Sequence, residues 1–132
     1  MSQSENPIPE LRIEHINEGR ITVVAASSTN SASIEAGFEF ILNEIQNWPD
    51  LHTPYLLLLD MSRVMLTPYV RRKAIELAQV RPEVAGRTAI VISASTIGHL
   101  IRVFVNNSLE GSRERQVFFA YDKAIEWLEE LL

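Results

Sequence analysis

Asp60, Ser62 and Thr67 lie close together in "YLLLLDMSRVMLTPYV", directly behind four consecutive leucines. A carboxylate beside two hydroxyls can act as a base next to nucleophiles, accept a phosphate, or simply hold the turn between a strand and a helix. Similar residues follow the other apolar runs. Ser27, Ser28 and Thr29 come after "RITVVAA", Ser93, Ser95 and Thr96 close or follow "TAIVIS", and Asp122 follows "QVFFA". Ser, Thr and Asp are also the preferred helix N-caps, so capping alone accounts for Thr67, Ser95 and Asp122. Asp60 ends the leucine run, where its carboxylate can accept backbone N–H groups of the next turn.

The rest of the reactive inventory excludes several chemistries. Cysteine is absent, which removes thiolate nucleophiles, disulfides and Cys-ligated metals. No G-x-S-x-G elbow occurs, and the few scattered glycines form no phosphate cradle. His15, His52 and His99 have no H-x-x-x-H spacing. The reading is therefore no catalytic residue, no metal site, no cofactor and no enzyme.

These residues must be positioned by regular elements. "LRIEHI" (11–16) alternates as a strand, "NEG" (17–19) turns with Gly19 free to take positive φ, and "RITVVAA" (20–26) is a β-branched second strand. Ile34, Phe38, Ile41, Leu42, Ile45 and Trp48 then follow a helical period, with Ser31 or Ser33 as cap and Pro49 as stop. "YLLLL" (55–59) is apolar throughout, as a strand covered on both faces requires. Thr67 and Pro68 open a helix with Val70, Ala74, Leu77 and Ala78 inside. "RPEVAGR" (81–87) is a connection and "TAIVIS" (88–93) a strand. A helix over 96–107 has the stripe Ile97, Leu100, Ile101 and Phe104, with Val103 and Val105 as additional apolar surface. Gly111 helps turn the chain into "QVFFA" (116–120), and a last helix buries Ala124, Ile125, Leu128 and Leu131. The order ββαβαβαβα implies an α/β fold whose mixed sheet begins with an antiparallel hairpin and continues in parallel βα units. Ligands of such sheets bind beyond the carboxyl ends of the strands, which is where the Ser, Thr and Asp residues gather.

At 132 residues the chain is one domain, here residues 10–132, preceded by a short arm over 1–9. "MSQSENPIPE" has neither the basic nor the apolar stretch of a secretory signal, and no apolar run reaches membrane-spanning length. The expectation is a cytoplasmic protein. A net charge of −5 excludes non-specific nucleic-acid binding, and the one dense basic cluster, Arg71-Arg72-Lys73, fits a solvated helix face.

Along most of residues 11–132 the chain resembles STAS domains, more closely the SpoIIAA-like branch related to sporulation anti-sigma-factor antagonists. The resemblance is carried by the antiparallel start, "LLLLDMSRV", "TAIVISAS" leading into a helix, and "VFFAYDKAIEWLEELL", where Ala124, Trp127 and Leu128 mark the helix face. It implies about five strands and four helices in a non-enzymatic module that contacts a protein partner. In the antagonists a serine at the start of the helix after the "LDLS"-like strand is phosphorylated. "LDMSRVMLTPYV" keeps Asp60 and Ser62, lacks D-S-S-G, and places Thr67 near the helix start. Thr67 and Ser62 are thus the candidate phosphoacceptors. A phosphate on Thr67 would face a helix N-terminus, with Arg63, Arg71 and Arg72 nearby in sequence.

The candidate ligand- or partner-binding residues are Asp60, Ser62, Arg63, Ser95, His99 and Val103. The surplus of apolar residues on the third helix suits a protein partner or a homo-oligomer. The alternative is an apolar small molecule or lipid held between the last two helices, as in related lipid-transfer domains. Less favoured is a receiver-like phosphoacceptor. Asp60, Ser93 and Lys123 resemble its Asp, Ser/Thr and Lys, but "AASSTN" lacks the acidic pair that holds its magnesium.

Overall fold

Tyr55 to Leu58 are almost wholly buried, a run of side chains that alternate between two covered faces. The sheet around them is seen in a computed structural model that describes residues 11–27, 31–65, 67–108 and 113–132, with backbone alone for Thr96 and 104–108. Its strands are β1 (Leu11–Ile16), β2 (Ile21–Ala26), β3 (Tyr55–Asp60), β4 (Gly86–Val91) and β5 (Arg113–Phe118). The helices are α1 (Ser31–Gln46), α2 (Pro68–Gln79), α3 (Thr96–Ser108) and α4 (Tyr121–Glu129). The strands lie in chain order β1-β2-β3-β4-β5, with β1 antiparallel to β2 and the others parallel. The expected order ββαβαβαβα is the observed one. The arm over 1–9, Ser28, Thr29 and Gly111 lie outside the described residues.

Right-handed crossovers that always step in the same direction leave their helices on one face. The packing agrees. Ile41, Ile45, Phe38, Val70, Leu77 and Ile101 of α1, α2 and α3 meet the sheet face of Val24, Leu57, Leu59, Ile90 and Val117. On the opposite face Ala124 and Leu128 of α4 cover Val23, Leu56, Leu58, Ala89 and Val91. Thr67 caps α2 as expected, its Oγ1 accepting from Val70 N at 3.2 Å with Pro68 next to it. The β1–β2 turn uses left-handed backbone at Asn17, Glu18 and Gly19.

Four expectations are corrected. β4 starts at Gly86 rather than Thr88. Gly86 pairs with Tyr55 so closely that a Cβ would collide with the Tyr55 carbonyl, so this glycine serves strand approach rather than a turn. β5 starts at Arg113 rather than Gln116, because a charged segment can form an edge strand when an arginine finds acceptors inside. The buried Arg113 guanidinium donates to the carbonyls of Leu77, Val80, Arg81 and Val84 at 2.7–3.1 Å, stapling the end of α2 to the approach to β4. Asp122 does not cap α4. The cap position is Ala120, which makes no side-chain bond, and Asp122 lies in the first turn, where its charge suits the helix dipole. Finally, α3 is rotated relative to its expected stripe: Ile101 packs inward, but Ile97 and Leu100 face water.

At the amino ends of the strands, the Glu44 carboxylate of α1 accepts from Tyr55 OH at 2.8 Å and Thr22 Oγ1 at 3.0 Å, and meets His15 Nε2 at 2.8 Å. Burial, reinforced by Glu44, pushes the Tyr55 phenol far above its ordinary value. An unfolded tyrosine ionises near pH ~10, so stability is intact below that pH and falls as pH rises beyond it, when only the unfolded chain loses the proton. Urea titrations across that range should show this alkaline decline, and Tyr55→Phe should flatten it while lowering stability at neutral pH. Gly86→Ala should lower the unfolding free energy by about 3 kcal/mol, read as a reduced urea midpoint.

Candidate functional site

Strand register aligns Arg12, Ala25, Asp60, Val91 and Phe118 in one row across the carboxyl-end margin of the parallel strands. Partners in such a row share a face, and Val91 and Phe118 assign it to the α4 side. Helix α4 packs on β3, β4 and β5, so the β1–β2 part of the row is left open. There Arg12, Ala25, Ala26, Ser27, Asp60, Ser62 and Arg63 line a polar groove of about 460 Å³.

Within the groove Asp60 Oδ1 accepts from Ser62 N at 3.1 Å and from Ser62 Oγ at 2.7 Å. The Ser62 carbonyl in turn accepts from Ser93 Oγ at 2.6 Å, which ties the β3–α2 loop to the segment after β4. Arg12 lies 3.4 Å from Glu14, whereas exposed Arg63 makes no ion pair with a described residue. Tyr121, the first residue of α4, completes the surroundings. Burial raises its pKa, Arg12 lowers it, and Glu14 and Asp60 raise it, so the phenol lies within electrostatic reach of all three. The arrangement offers an oriented carboxylate, a guanidinium and hydroxyls to a polar ligand group. Arg12 and Tyr121 were not among the expected site residues. The signal for Tyr121 was its place just after the last strand, while Arg12 is marked only by antiparallel register.

The remaining candidates lie elsewhere. Ser95 Oγ accepts from Gly98 N at 3.0 Å and caps the start of α3. Gly98 presses against the Ser93 carbonyl, a contact that a Cβ would obstruct. His99 is exposed and packs against Phe119 at an interplanar angle of 59° with centroids 4.6 Å apart, and the Arg102 guanidinium lies 5.4 Å from the same ring centroid. Val103 is exposed, as are Ile97 and Leu100, at 60, 68 and 66% of their surface. The structure thus gathers Asp60, Ser62 and Arg63 in the groove, sets Ser95 at the start of α3 and His99 and Val103 on that helix over the other sheet face, and leaves Thr67 as the α2 cap. The Phe104 and Val105 side chains lie outside the described residues.

The alternatives of the sequence reading fit less well. A receiver of the doubly wound kind has strand order 2-1-3-4-5, whereas this sheet runs without reversal. Ser93 is bonded to the Ser62 carbonyl, and exposed Lys123 pairs with Glu126 at 3.8 Å. Among the described residues no group of three His, Asp or Glu could hold a metal ion. Helices α3 and α4 lie on opposite faces, so they form no common cleft for a lipid. Apolar hollows beside Gly37, beside Ala74 and beside Leu42 measure about 20, 40 and 110 Å³, against the ~300 Å³ or more of a small-molecule site. Among the described residues no helix is long and apolar enough to cross a membrane.

No protein-family profile and no curated protein matches the chain. Among solved structures it is similar to an uncharacterized protein of the DUF3478 family, with a SpoIIAA-like fold, from Shewanella loihica PV-4. The superposition has a TM-score of 0.60 and covers 89% of this chain and 91% of that one, at 17% identity. Such a likeness speaks to architecture and leaves activity to the site itself. The fold of this chain is SpoIIAA-like.

Proposed function

We propose that the chain is a non-enzymatic regulatory module that binds a protein partner through the exposed face of α3. The observation that carries this reading is the water-facing strip of Ile97, Leu100 and Val103, spaced i, i+3 and i+6. Single exposed aliphatic residues are ordinary, but an aligned strip on one helix is the form taken by contact surfaces. Covering each such side chain removes apolar surface from water for roughly 1.5–3 kcal/mol. His99 borders the strip, and Ser95 fixes the start of its helix.

The Asp60–Ser62–Arg63 groove is a second contact region in this reading. The Ser93–Ser62 bond ties its loop to the segment that leads into α3. Phosphorylation at Thr67 or Ser62 is the regulatory step of the proposal. Thr67 stands at the α2 N-terminus, and exposed Arg71 has no ion pair with a described residue, so a phosphate on Thr67 meets backbone N–H groups and an available cation.

A photo-crosslinking residue at Val103, tested in the source cells, should capture a defined protein, and Leu100→Asp should weaken that complex at least about tenfold. The melting temperature should be unchanged, because Leu100 is exposed. Capture of no protein at Val103, or complexes indifferent to Leu100→Asp, would remove the α3 reading. Mass spectrometry of the native protein should find phosphate on Thr67 or Ser62 in the partner-free fraction. If both are always unmodified, the regulatory step falls and the interaction reading remains.

A further inference from the structure

We infer that the outer side of α2 and α3 receives an acidic amphipathic segment of another protein, an inference that rests on the interaction-module reading and specifies the partner's chemistry. Two independent observations converge on it. The first is the aliphatic strip of Ile97, Leu100 and Val103, accompanied by partly exposed Ile75 on α2. Both helices belong to the same layer and contribute to one core cluster, Tyr69 and Val70 from α2 and Ile101 from α3.

The second observation is the distribution of satisfied charge. Arg12, Arg81 and Arg87 each hold a carboxylate, as do Lys73 and Lys123. Buried Arg113 is saturated by carbonyls. Six other arginines make no ion pair with a described residue: Arg20 and Arg115 are partly covered, exposed Arg63 lies in the groove, and exposed Arg71, Arg72 and Arg102 lie on α2 and α3. Arg72 and Arg102 instead lie over the rings of Tyr69 and Phe119, each 5.4 Å from the centroid. Neither 61–75 nor 92–108 contains an acidic residue, although the whole chain carries 17 against 12 basic ones. One side of an acidic protein thus presents aliphatic residues among cations without acid partners.

Charge complementarity selects the occupant. An acidic segment with apolar residues at helical spacing would fill the strip and pair with the arginines. Two competitors fit less well. An anionic bilayer is a large surface that opposes the net charge of −5, whereas a peptide feels chiefly the charges within a Debye length of roughly 8–10 Å. A second copy could offer the acidic helix α4, but the apolar side of α4 is already buried through Ala124 and Leu128.

The experiment is selection of random peptides of about sixteen residues on the intact protein, followed by affinity measurement of the enriched peptides. The expected peptides combine Asp or Glu with Leu, Ile or Phe at helical spacing. Arg71→Glu, Arg102→Glu and Leu100→Asp should each weaken them about tenfold, and added salt should weaken them further. Circular dichroism should show all three variants folded, since the residues are exposed and a glutamate in the first turn of α2 suits its dipole. Neutral or basic peptides that depend on Leu100 would overturn the acidic occupant while sparing the interaction reading. Peptides indifferent to all three variants, or no enriched peptide, would overturn both. Binding to phosphatidylserine vesicles, or dimerisation in ultracentrifugation, abolished by Leu100→Asp would also overturn the inference, assigning the strip to a membrane or to a second copy.

Discussion

The architecture depends on one constraint: every parallel crossover steps the same way across the sheet. A right-handed connection then has one choice of face, so α1, α2 and α3 must share a layer and α4 alone returns to cover the other. One helix cannot cover five strands. It protects the hydrophobic centre of β2, β3 and β4 and leaves the carboxyl-end margin beside β1 open, which is why a row beginning at Arg12 reaches water before it reaches Asp60. The polar groove is a product of that incomplete cover. A sheet whose order reverses would place a crevice between its central strands instead.

Charge is handled differently at the two ends of the strands. At the amino ends, Glu44 collects Tyr55, Thr22 and His15, while Arg113 collects four carbonyls, so these polar groups are matched internally. At the carboxyl ends the bonds are short loop closures, Asp60 with Ser62 and Ser62 with Ser93. The first arrangement locks helices onto strands. The second closes the loops that follow β3 and β4 onto each other.

Much of this could be read from residue order, and the misses have physical causes. Apolar patterning located β1, β2, β3, α1 and α2: alternation in the sequence marked β1, β-branched or unbroken apolar runs marked β2 and β3, and a 3.6-residue spacing marked the two helices. Thr67 and Ser95 were legible as caps because their chemistry is local. Gly86 lay in a stretch that composition assigned to a connection, although it is needed where two backbones nearly touch. Arg113 resembled loop composition, although four carbonyls receive its guanidinium. The rotation of α3 was hidden because Gly98 has no side chain to count, yet its closeness to Ser93 sets the face the helix turns inward. Arg12 lines the groove through pairing across strands, and Tyr121 comes within electrostatic reach of it through the placement of α4, relations that no window of neighbouring residues contains.

The margins of the sheet carry a last consequence. On β1, Arg12 and Glu14 are paired along one side, and on β5 Glu114 binds Arg87 of the neighbouring strand. An incoming ribbon from another molecule would have to align against fixed ionic groups and surrender their hydration. Both borders therefore resist lateral annealing, and this disfavours open-ended fibrils even though the interior strand is almost pure leucine.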